Sequence, residues 1–327
     1  MKKLVAEFPA QLRAAVNISK ASVLKGFNGD LQNVLITGLG GSGIGGTIAS
    51  ELAAKQAKVP VVVSKGYFIP GWVGKHTLVI VSSFSGNTEE TINAMQLAME
   101  AGATIVAVTS GGKVAEIARE KNFDLILLPT GDSPRACLGY SLVQQMHILQ
   151  SFGVIAESVL NDFLTAADLI EKEQQAILEE ATKLTTFFKG RVPVIYTTTY
   201  REGIAIRLRQ QLNENAKILC WHHVVPEMNH NELVGWTTKN EELAVLLLRD
   251  KDDYERNQKR FEINKGVIGK YTPHIAESWV GGKNKVEKAI WHIHLGDWIS
   301  VLLADQRGVD PVEVRVIDHL KGELSKF

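Results

Sequence analysis

Cysteine is almost absent from this sequence. Among its 327 residues, only Cys137 and Cys220 are cysteines, and they lie far apart. Small secreted domains are commonly held by several disulfides, and zinc sites often use closely spaced CxxC pairs. Two distant cysteines form neither pattern, so the sequence excludes a disulfide framework and a CxxC metal site.

The sequence also lacks an excess of charge of either sign. Its 36 basic residues balance its 36 acidic residues, giving a formal net charge of zero. A basic surplus is the usual electrostatic signature of proteins that bind nucleic acid or anionic membranes. We therefore expect neither nucleic acid nor a membrane among the partners of this chain.

Long apolar runs are missing as well. A membrane-spanning helix requires about 20 mainly apolar residues in succession, and no segment reaches that length. The amphipathic stretch 1–16 contains one acidic residue, Glu7, and lacks the long apolar core of a signal peptide. These features favour a cytoplasmic location.

Length and hydrophobic pattern indicate two α/β domains. A chain of this length suggests two domains of about 150 residues each. Apolar runs that alternate with helical patterns predict strands at 33–38, 59–64, 76–83, 104–110 and 124–130. Nearly continuous apolar strands separated by helices are typical of a parallel, doubly wound sheet that is covered on both faces.

The second half repeats this plan. We predict a long helix over roughly 158–189, a short helix near 226, further helices over 201–217, 254–267 and 285–308, and strands at 192–198, 217–225, 242–250 and 274–280. The predicted fold class is α/β, with two αβα sandwich domains that span residues 1–153 and 154–327.

The stretch SFSGNTEET, which begins at Ser83, carries small polar side chains between a predicted strand and a predicted helix. The N-terminus of a helix favours an anion because its N–H groups are unpaired and its dipole is positive there. We expect Ser83, Ser85 and Thr88 to bind a phosphate. The simpler alternative is that Asn87 or Thr88 caps the helix.

The stretch TGLGGSGIGG contains the spacing GxGxxG at Gly38, Gly40 and Gly43 after the first predicted strand. This spacing occurs in dinucleotide sites, which also need an acidic residue about 20 positions later. Ser64 and Lys65 stand there instead, so an NAD site lacks its ribose partner, whereas an NADP site that uses Lys65 stays open. A sugar contacted by Gly40, Gly41 and Ser42 fits this loop better.

Together these motifs resemble the sugar-isomerase (SIS) domain. Two such units, together with SPRACLGYS (133–141), NEN (213–215) and PEMNHNELVGW (226–236), resemble the bifunctional phosphoglucose/phosphomannose isomerases. The resemblance spans most of the chain. It implies interconversion of glucose 6-phosphate, and of mannose 6-phosphate, with fructose 6-phosphate through a cis-enediol, without metal or other cofactor.

The resemblance also implies roles for individual residues. Glu214 of NEN is expected to be the base that moves the proton between C1 and C2. Arg135 is expected to stabilise the charge of the enediolate. His230 is expected to open the sugar ring from the neighbouring subunit, which implies a homodimer. Lys321 is expected to assist ring opening, with Lys326 and His319 as alternatives in the same tail.

Three alternatives stay open at this point. The histidines His222, His223 and His230 could bind a metal, although their spacing matches no zinc motif. The protein could be a phosphosugar sensor without catalytic activity, but such sensors usually carry a basic DNA-binding segment, and none is present. It could also be an NAD(P)-dependent oxidoreductase, which the hydroxyl-rich loop disfavours.

Overall fold

The computed structural model describes residues 1–131, 133–156 and 159–326, which form two parallel sheets. The strands of the first sheet are β1 (Asn33–Thr37), β2 (Val61–Ser64), β3 (Thr77–Ser82), β4 (Thr104–Thr109) and β5 (Asp124–Leu127). They lie in the order β2-β1-β3-β4-β5, and each neighbouring pair is parallel. All of β3 is buried, as expected for a parallel strand with both faces covered.

The second sheet has the same strand order as the first four strands of the first sheet. Its strands are β6 (Val192–Thr198), β7 (Trp221–Val225), β8 (Leu243–Arg249) and β9 (Ile275–Trp279). They lie in the order β7-β6-β8-β9, again with every pair parallel. The predicted α/β class with repeated, doubly wound parallel sheets is therefore confirmed.

Helices cover the faces of both sheets. They are α1 (Lys2–Ala6), α2 (Phe8–Ala21), α3 (Gly40–Ala53), α4 (Glu89–Glu100), α5 (Gly112–Glu120), α6 (Leu138–Ser151), α7 (Val159–Lys172), α8 (Gln174–Phe188), α9 (Glu202–Glu214), α10 (Glu255–Ile268), α11 (Lys285–Arg307) and α12 (Arg315–Leu324). Across the described ranges, no helix combines the length and apolar character that crossing a membrane would need.

One buried core joins the two halves. It contains Ile36 of β1, Ile195 of β6 and side chains of the helices between the sheets, including Phe163 of α7 and Ile299 of α11. Each such side chain contributes about 1.5–3 kcal/mol when it is removed from water. The sheets lie on either side of the predicted 153/154 boundary, but a shared core does not test that boundary, which stays a prediction.

Two predicted elements differ from the structure. The single helix over 158–189 is wrong. Its first residue lies outside the described residues, and the rest forms α7 and α8, which are separated at Glu173 with φ −95° and ψ 10°. The Glu173 carboxylate accepts a hydrogen bond from the indole of Trp291 at 2.8 Å, which anchors the break on α11.

The seventh strand begins four residues later than predicted. Lys217 has a left-handed φ of +56° and closes α9, so the strand cannot start there. It begins at Trp221 instead. The short helix predicted near 226 is a 3₁₀ turn over Glu227–His230.

Candidate active site

The glycine-rich loop follows β1 at the point where the strand order reverses, between β1 and β3. Helix α3 begins at Gly40, whose φ is +52°. A Cβ at Gly38 would lie only 2.4 Å from the carbonyl oxygen of Ser82, so the loop requires glycine there. The Oγ of Ser42 accepts a hydrogen bond from the N–H of Phe84 at 3.1 Å, which joins this loop to the one after β3.

The serine loop, residues 83–88, follows β3 and leads into α4. The Ser83 hydroxyl donates to Oγ1 of Thr88 at 3.1 Å and accepts from the N–H of Gly86 at 3.2 Å. The exposed Ser85 accepts at Oγ from the N–H of Asn87 at 3.3 Å. Hydrogen bonds between residues close in sequence therefore hold the hydroxyls of this loop in one compact turn.

The start of α4 carries no side-chain cap. Thr88 occupies the position before the helix, and its side chain makes no capping hydrogen bond. Asn87 instead accepts from the N–H of Lys113 at 3.0 Å, in the first turn of α5. The capping alternative is thus not what the structure shows, and the first N–H groups of α4 are left for an anion. Glu89 and Glu90 lie in this first turn, and their negative charge opposes the binding of an anion.

Arg135 connects the two halves of the chain. It lies in a 3₁₀ turn over Pro134–Ala136 and is buried. Its Nη1 donates to Oε1 of Glu214 at 2.9 Å, and its Nε donates to Oδ1 of Asn215 at 2.8 Å. Its Nη2 donates to the carbonyl oxygen of Pro311. The guanidinium therefore contacts both the NEN segment and the C-terminal segment.

The NEN segment, residues 213–215, lies at the end of α9. The side chain of Glu214 is 34% exposed. Asn215 is fully buried and donates to Oγ of Ser300 at 2.9 Å. Asn213 donates to the carbonyl oxygen of Ile218 at 2.6 Å. The two asparagines thus fix the backbone on either side of a carboxylate that solvent or a ligand can reach.

A buried ion pair holds α9 in place. Arg207 donates to Oδ2 of Asp297 at 2.9 Å and to the carbonyl oxygen of Arg135 at 2.7 Å. Gln211 donates to the other oxygen of Asp297 at 2.8 Å. Because both carboxylate oxygens are hydrogen-bonded, the desolvation of the pair is partly offset. The pair fixes the helix that carries Glu214 against α11.

A cavity of about 300 Å³ opens beside Glu214. The cavity lies between the end of α9 and the start of α12, and its lining includes Leu219, Val316 and Ile317. The Nζ of Lys217 donates to the carbonyl oxygens of Glu214, at 2.6 Å, and Glu313, at 2.5 Å. This lysine therefore attaches the C-terminal segment to the end of α9.

Comparison of this chain with known proteins identifies related families. The family described as the bacterial phospho-glucose isomerase C-terminal SIS domain matches residues 177–324. The bifunctional phosphoglucose/phosphomannose isomerase of Caldicellulosiruptor bescii is 35% identical, over 100% of this chain and 99% of the relative. That of Aquifex aeolicus is 32% identical, over 90% and 91%.

The chain belongs to the bifunctional phosphoglucose/phosphomannose isomerase family. Among solved structures, the C-terminal domain of glucosamine-fructose-6-phosphate aminotransferase from Francisella tularensis gives a TM-score of 0.76 at 15% identity. The similarity covers 96% of this chain and 98% of that one. At this identity it supports the fold alone.

In this phosphoglucose/phosphomannose isomerase family member, no hydrogen bond or ion pair among the described residues joins His230 to Glu214 of the same chain. Glu214 ends α9, which runs back towards the start of the second sheet, whereas the exposed His230 lies beyond the end of β7. The five residues of β7 span about 16 Å. Glu232, two residues after His230, accepts a hydrogen bond at 3.0 Å from the indole of Trp221, the first residue of β7, so the loop turns back along the sheet.

Lys321 is exposed on α12, four residues beyond the cavity-lining Ile317. It lies on the helix that borders the cavity, but among the described residues no hydrogen bond or ion pair joins it to Glu214. His319 lies on the same exposed helix, and Lys326 follows it and pairs with Glu323 at 2.6 Å. The role of the tail in ring opening stays a prediction.

The neighbouring histidines have other contacts. Nε2 of His222 lies 3.5 Å from a carboxylate oxygen of Glu202, and burial lowers the pKa of its ring. Nδ1 of His223 accepts from the N–H of Val224 at 2.8 Å. Across the described ranges, no three His, Cys, Asp or Glu side chains are grouped to hold a metal.

Proposed function

We propose that this chain is an aldose–ketose isomerase that converts glucose 6-phosphate and mannose 6-phosphate into fructose 6-phosphate and back. The observation that carries the proposal is the hydrogen bond between Arg135 and Glu214. It joins the turn after the first sheet to a partly exposed carboxylate of the second half. Membership of the phosphoglucose/phosphomannose isomerase family supports the same reaction.

The serine loop binds the phosphate in this proposal. Ser83, Ser85 and Thr88 supply hydroxyl donors, and the uncapped start of α4 supplies N–H groups. The sugar then extends towards Gly40, Gly41 and Ser42, which are held beside the serine loop by the hydrogen bond from Phe84. Phosphate binding thus fixes one end of the substrate, away from the reacting carbons.

Glu214 transfers the proton at the other end. Its carboxylate removes the proton from C2 of the open-chain aldose, and the electron pair of that C–H bond forms the C1=C2 double bond of the enediolate. The proton of the O2 hydroxyl passes to O1, and the carboxylic acid then returns its own proton to C1 as the electron pair left on O2 forms the ketone. Arg135 offsets the negative charge that develops on the enediolate oxygens.

Ring opening needs a second acid–base group, which we assign to His230 of the partner subunit. A histidine titrates near neutral pH, so it can exchange the ring-oxygen and O1 protons. Support for a homodimer comes from the family resemblance, which implies that this histidine reaches the site of the neighbouring subunit. Lys321 assists ring opening from the C-terminal helix.

A coupled assay tests the reaction against its alternatives. Purified protein is given glucose 6-phosphate or mannose 6-phosphate in the presence of EDTA, and formation of fructose 6-phosphate is followed. The proposal predicts turnover of both sugars without added nucleotide. Phosphosugar binding without turnover would indicate a sensor, and turnover only with NAD(P) would indicate an oxidoreductase.

A further inference from the structure

Two side chains on one face of α11 reach Arg135 through separate relays. Asp297 and Ser300 are both buried and are three residues apart on this helix, so they lie on the same face. The carboxylate of Asp297 holds Arg207, which donates to the backbone carbonyl of Arg135. The hydroxyl of Ser300 holds Asn215, which accepts from the side chain of Arg135. One helix thus fixes both the backbone and the guanidinium of Arg135.

The proton of the Ser300 hydroxyl is already used within α11. Its Oγ donates to the carbonyl oxygen of Asp297, three residues earlier in the helix, at 2.7 Å. A serine hydroxyl has a single proton, so towards any other group this Oγ can only accept. Its second partner must therefore be a donor, and the amide of Asn215 presents Nδ2 to it at 2.9 Å.

This orientation of the Asn215 amide is the one that Arg135 requires. A guanidinium has donors and no acceptor, so the Nε–H of Arg135 needs an oxygen opposite it. With Nδ2 bound to Ser300, the Oδ1 of Asn215 faces Nε at 2.8 Å. A rotation of the amide by half a turn would place N–H against N–H in a fully buried position, and the guanidinium would be displaced. The Ser300 hydroxyl therefore prevents the amide from turning.

The position of this guanidinium determines what the proposed base contacts. Nη1 of Arg135 lies 2.9 Å from Oε1 of Glu214, and it belongs to the same rigid, planar group as Nε. A guanidinium that loses its contact at Nε also shifts at Nη1, where it meets the base and offsets the charge of the enediolate. A displacement of about 1 Å at such a position can lower a rate by about 10²-fold.

We propose that Ser300 is a positioning residue for the isomerisation: its hydroxyl selects the orientation of the Asn215 amide and thereby places the guanidinium of Arg135 beside Glu214. Ser300 does not touch the substrate and acts only through Asn215 and Arg135. The inference rests on the proposed function for the reaction that is affected, whereas the orientation of the guanidinium can be measured without any substrate.

The kinetics of Ser300→Ala test the effect on the reaction. Loss of the acceptor lets the amide turn, so kcat should fall by about 10-fold or more. KM and the affinity for a competitive phosphosugar inhibitor should change little, because the serine loop is unaltered. The control is Ser19→Ala, since Ser19 is a buried serine of α2 that is hydrogen-bonded to the side-chain amide of Gln144 at 2.8 Å. It should keep the parent kcat, and a Ser300→Ala protein that also keeps it would overturn the inference.

An aspartate at position 215 separates positioning from a general loss of packing. Both oxygens of a carboxylate accept hydrogen bonds, so Asn215→Asp has no wrong orientation opposite Arg135. Adding Ser300→Ala to Asn215→Asp should therefore change kcat by less than about 2-fold, whereas Ser300→Ala alone lowers it by about 10-fold or more. Equal losses in the two backgrounds would show that the hydroxyl is only structural and would overturn the inference.

Hydrogen exchange at the Nε–H of Arg135 gives a readout that needs no substrate. The protein is prepared with ¹⁵Nε-labelled arginine, and the Arg135 resonance is assigned by its disappearance in Arg135→Lys. Exchange should be about 10-fold or more faster in Ser300→Ala than in the parent, and slow again in Asn215→Asp/Ser300→Ala. Unchanged exchange in Ser300→Ala would overturn the inference. The expected exchange pattern in a protein that isomerises neither sugar phosphate would support the positioning and refute the proposed function.

Discussion

At the scale of single residues, Arg135 determines how the candidate site is held together. Its three hydrogen bonds reach Glu214, Asn215 and the carbonyl oxygen of Pro311. These partners come from two further parts of the chain, more than 75 residues away in sequence. A planar guanidinium can satisfy all three at once, whereas an ammonium group cannot reach them with the same geometry.

Replacing Arg135 with lysine should therefore cost both stability and activity. In Arg135→Lys, a buried oxygen of Asn215 or Pro311 loses its donor, which should lower the free energy of unfolding by about 1–3 kcal/mol. The loss of charge placement at the enediolate should reduce kcat by about 10²-fold. Urea unfolding and steady-state kinetics measure the two effects.

The control for this substitution is Arg119→Lys, because Arg119 is exposed on α5. It should leave stability within about 0.5 kcal/mol of the parent and leave kcat unchanged. An Arg135→Lys protein with the same kcat as this control would show that the guanidinium does not take part in the reaction.

At the scale of elements, the crossing of α3 and α9 aligns the two halves of the site. The glycine loop begins α3 and Glu214 ends α9, while the other ends of these helices meet at Glu51 and Gly203. The N–H of Gly203 donates to Glu51 at 2.8 Å, and a Cβ on Gly203 would lie 2.9 Å from Ile48. The helices are thus in close contact at the end remote from the site.

Glu51 makes this crossing sensitive to pH. Burial is the largest cause of a raised carboxyl pKa; Glu202 also raises this pKa, Gly203, Lys65 and Arg201 lower it, and the net result is a shift from 4.5 to about 7. The native state therefore binds a proton that the unfolded chain releases between these two values. The free energy of unfolding should fall as the pH rises from about 5 to about 8.

The substitution Glu51→Gln should remove this dependence. At pH 8 we expect the variant to be more stable than the parent by about 1–3 kcal/mol, because no carboxylate must be ionised in a desolvated site. At pH 5 the two proteins should differ little. Urea unfolding across this pH range measures the difference. The control is Glu116→Gln, because Glu116 is exposed on α5. Parallel stability curves for Glu51→Gln and the parent would contradict this account of the crossing.

At the scale of the whole molecule, local patterns predicted the sheets and the polar loops, because strands and strand-to-helix turns depend on neighbouring residues. They could not predict the break at Glu173, where no glycine or proline stands and the partner is the distant Trp291. They also missed Lys217, whose left-handed conformation is usually taken by glycine.

The supporting contacts of the site were beyond sequence reasoning for the same reason. Arg207 and Asp297 are 90 residues apart, and only the fold brings them together. Glu214 and His230 were selected by family resemblance, and no hydrogen bond or ion pair among the described residues joins them within one chain. The proposed dimer, in which they meet across two subunits, is therefore a property of the whole molecule.

The central claim is that a carboxylate from the second half acts on a sugar held by the first half. The most direct measurement is the loss of deuterium from [2-²H]glucose 6-phosphate in ordinary water, compared between the parent and Glu214→Gln. We predict that the variant loses the label about 10²–10⁴-fold more slowly, because the amide cannot act as a base. A competitive phosphosugar inhibitor should bind the variant almost as tightly, since the serine loop is unchanged. Loss of the label at the parent rate would contradict the account and direct attention to Glu227 and Glu232, beside His230, as candidates for the base.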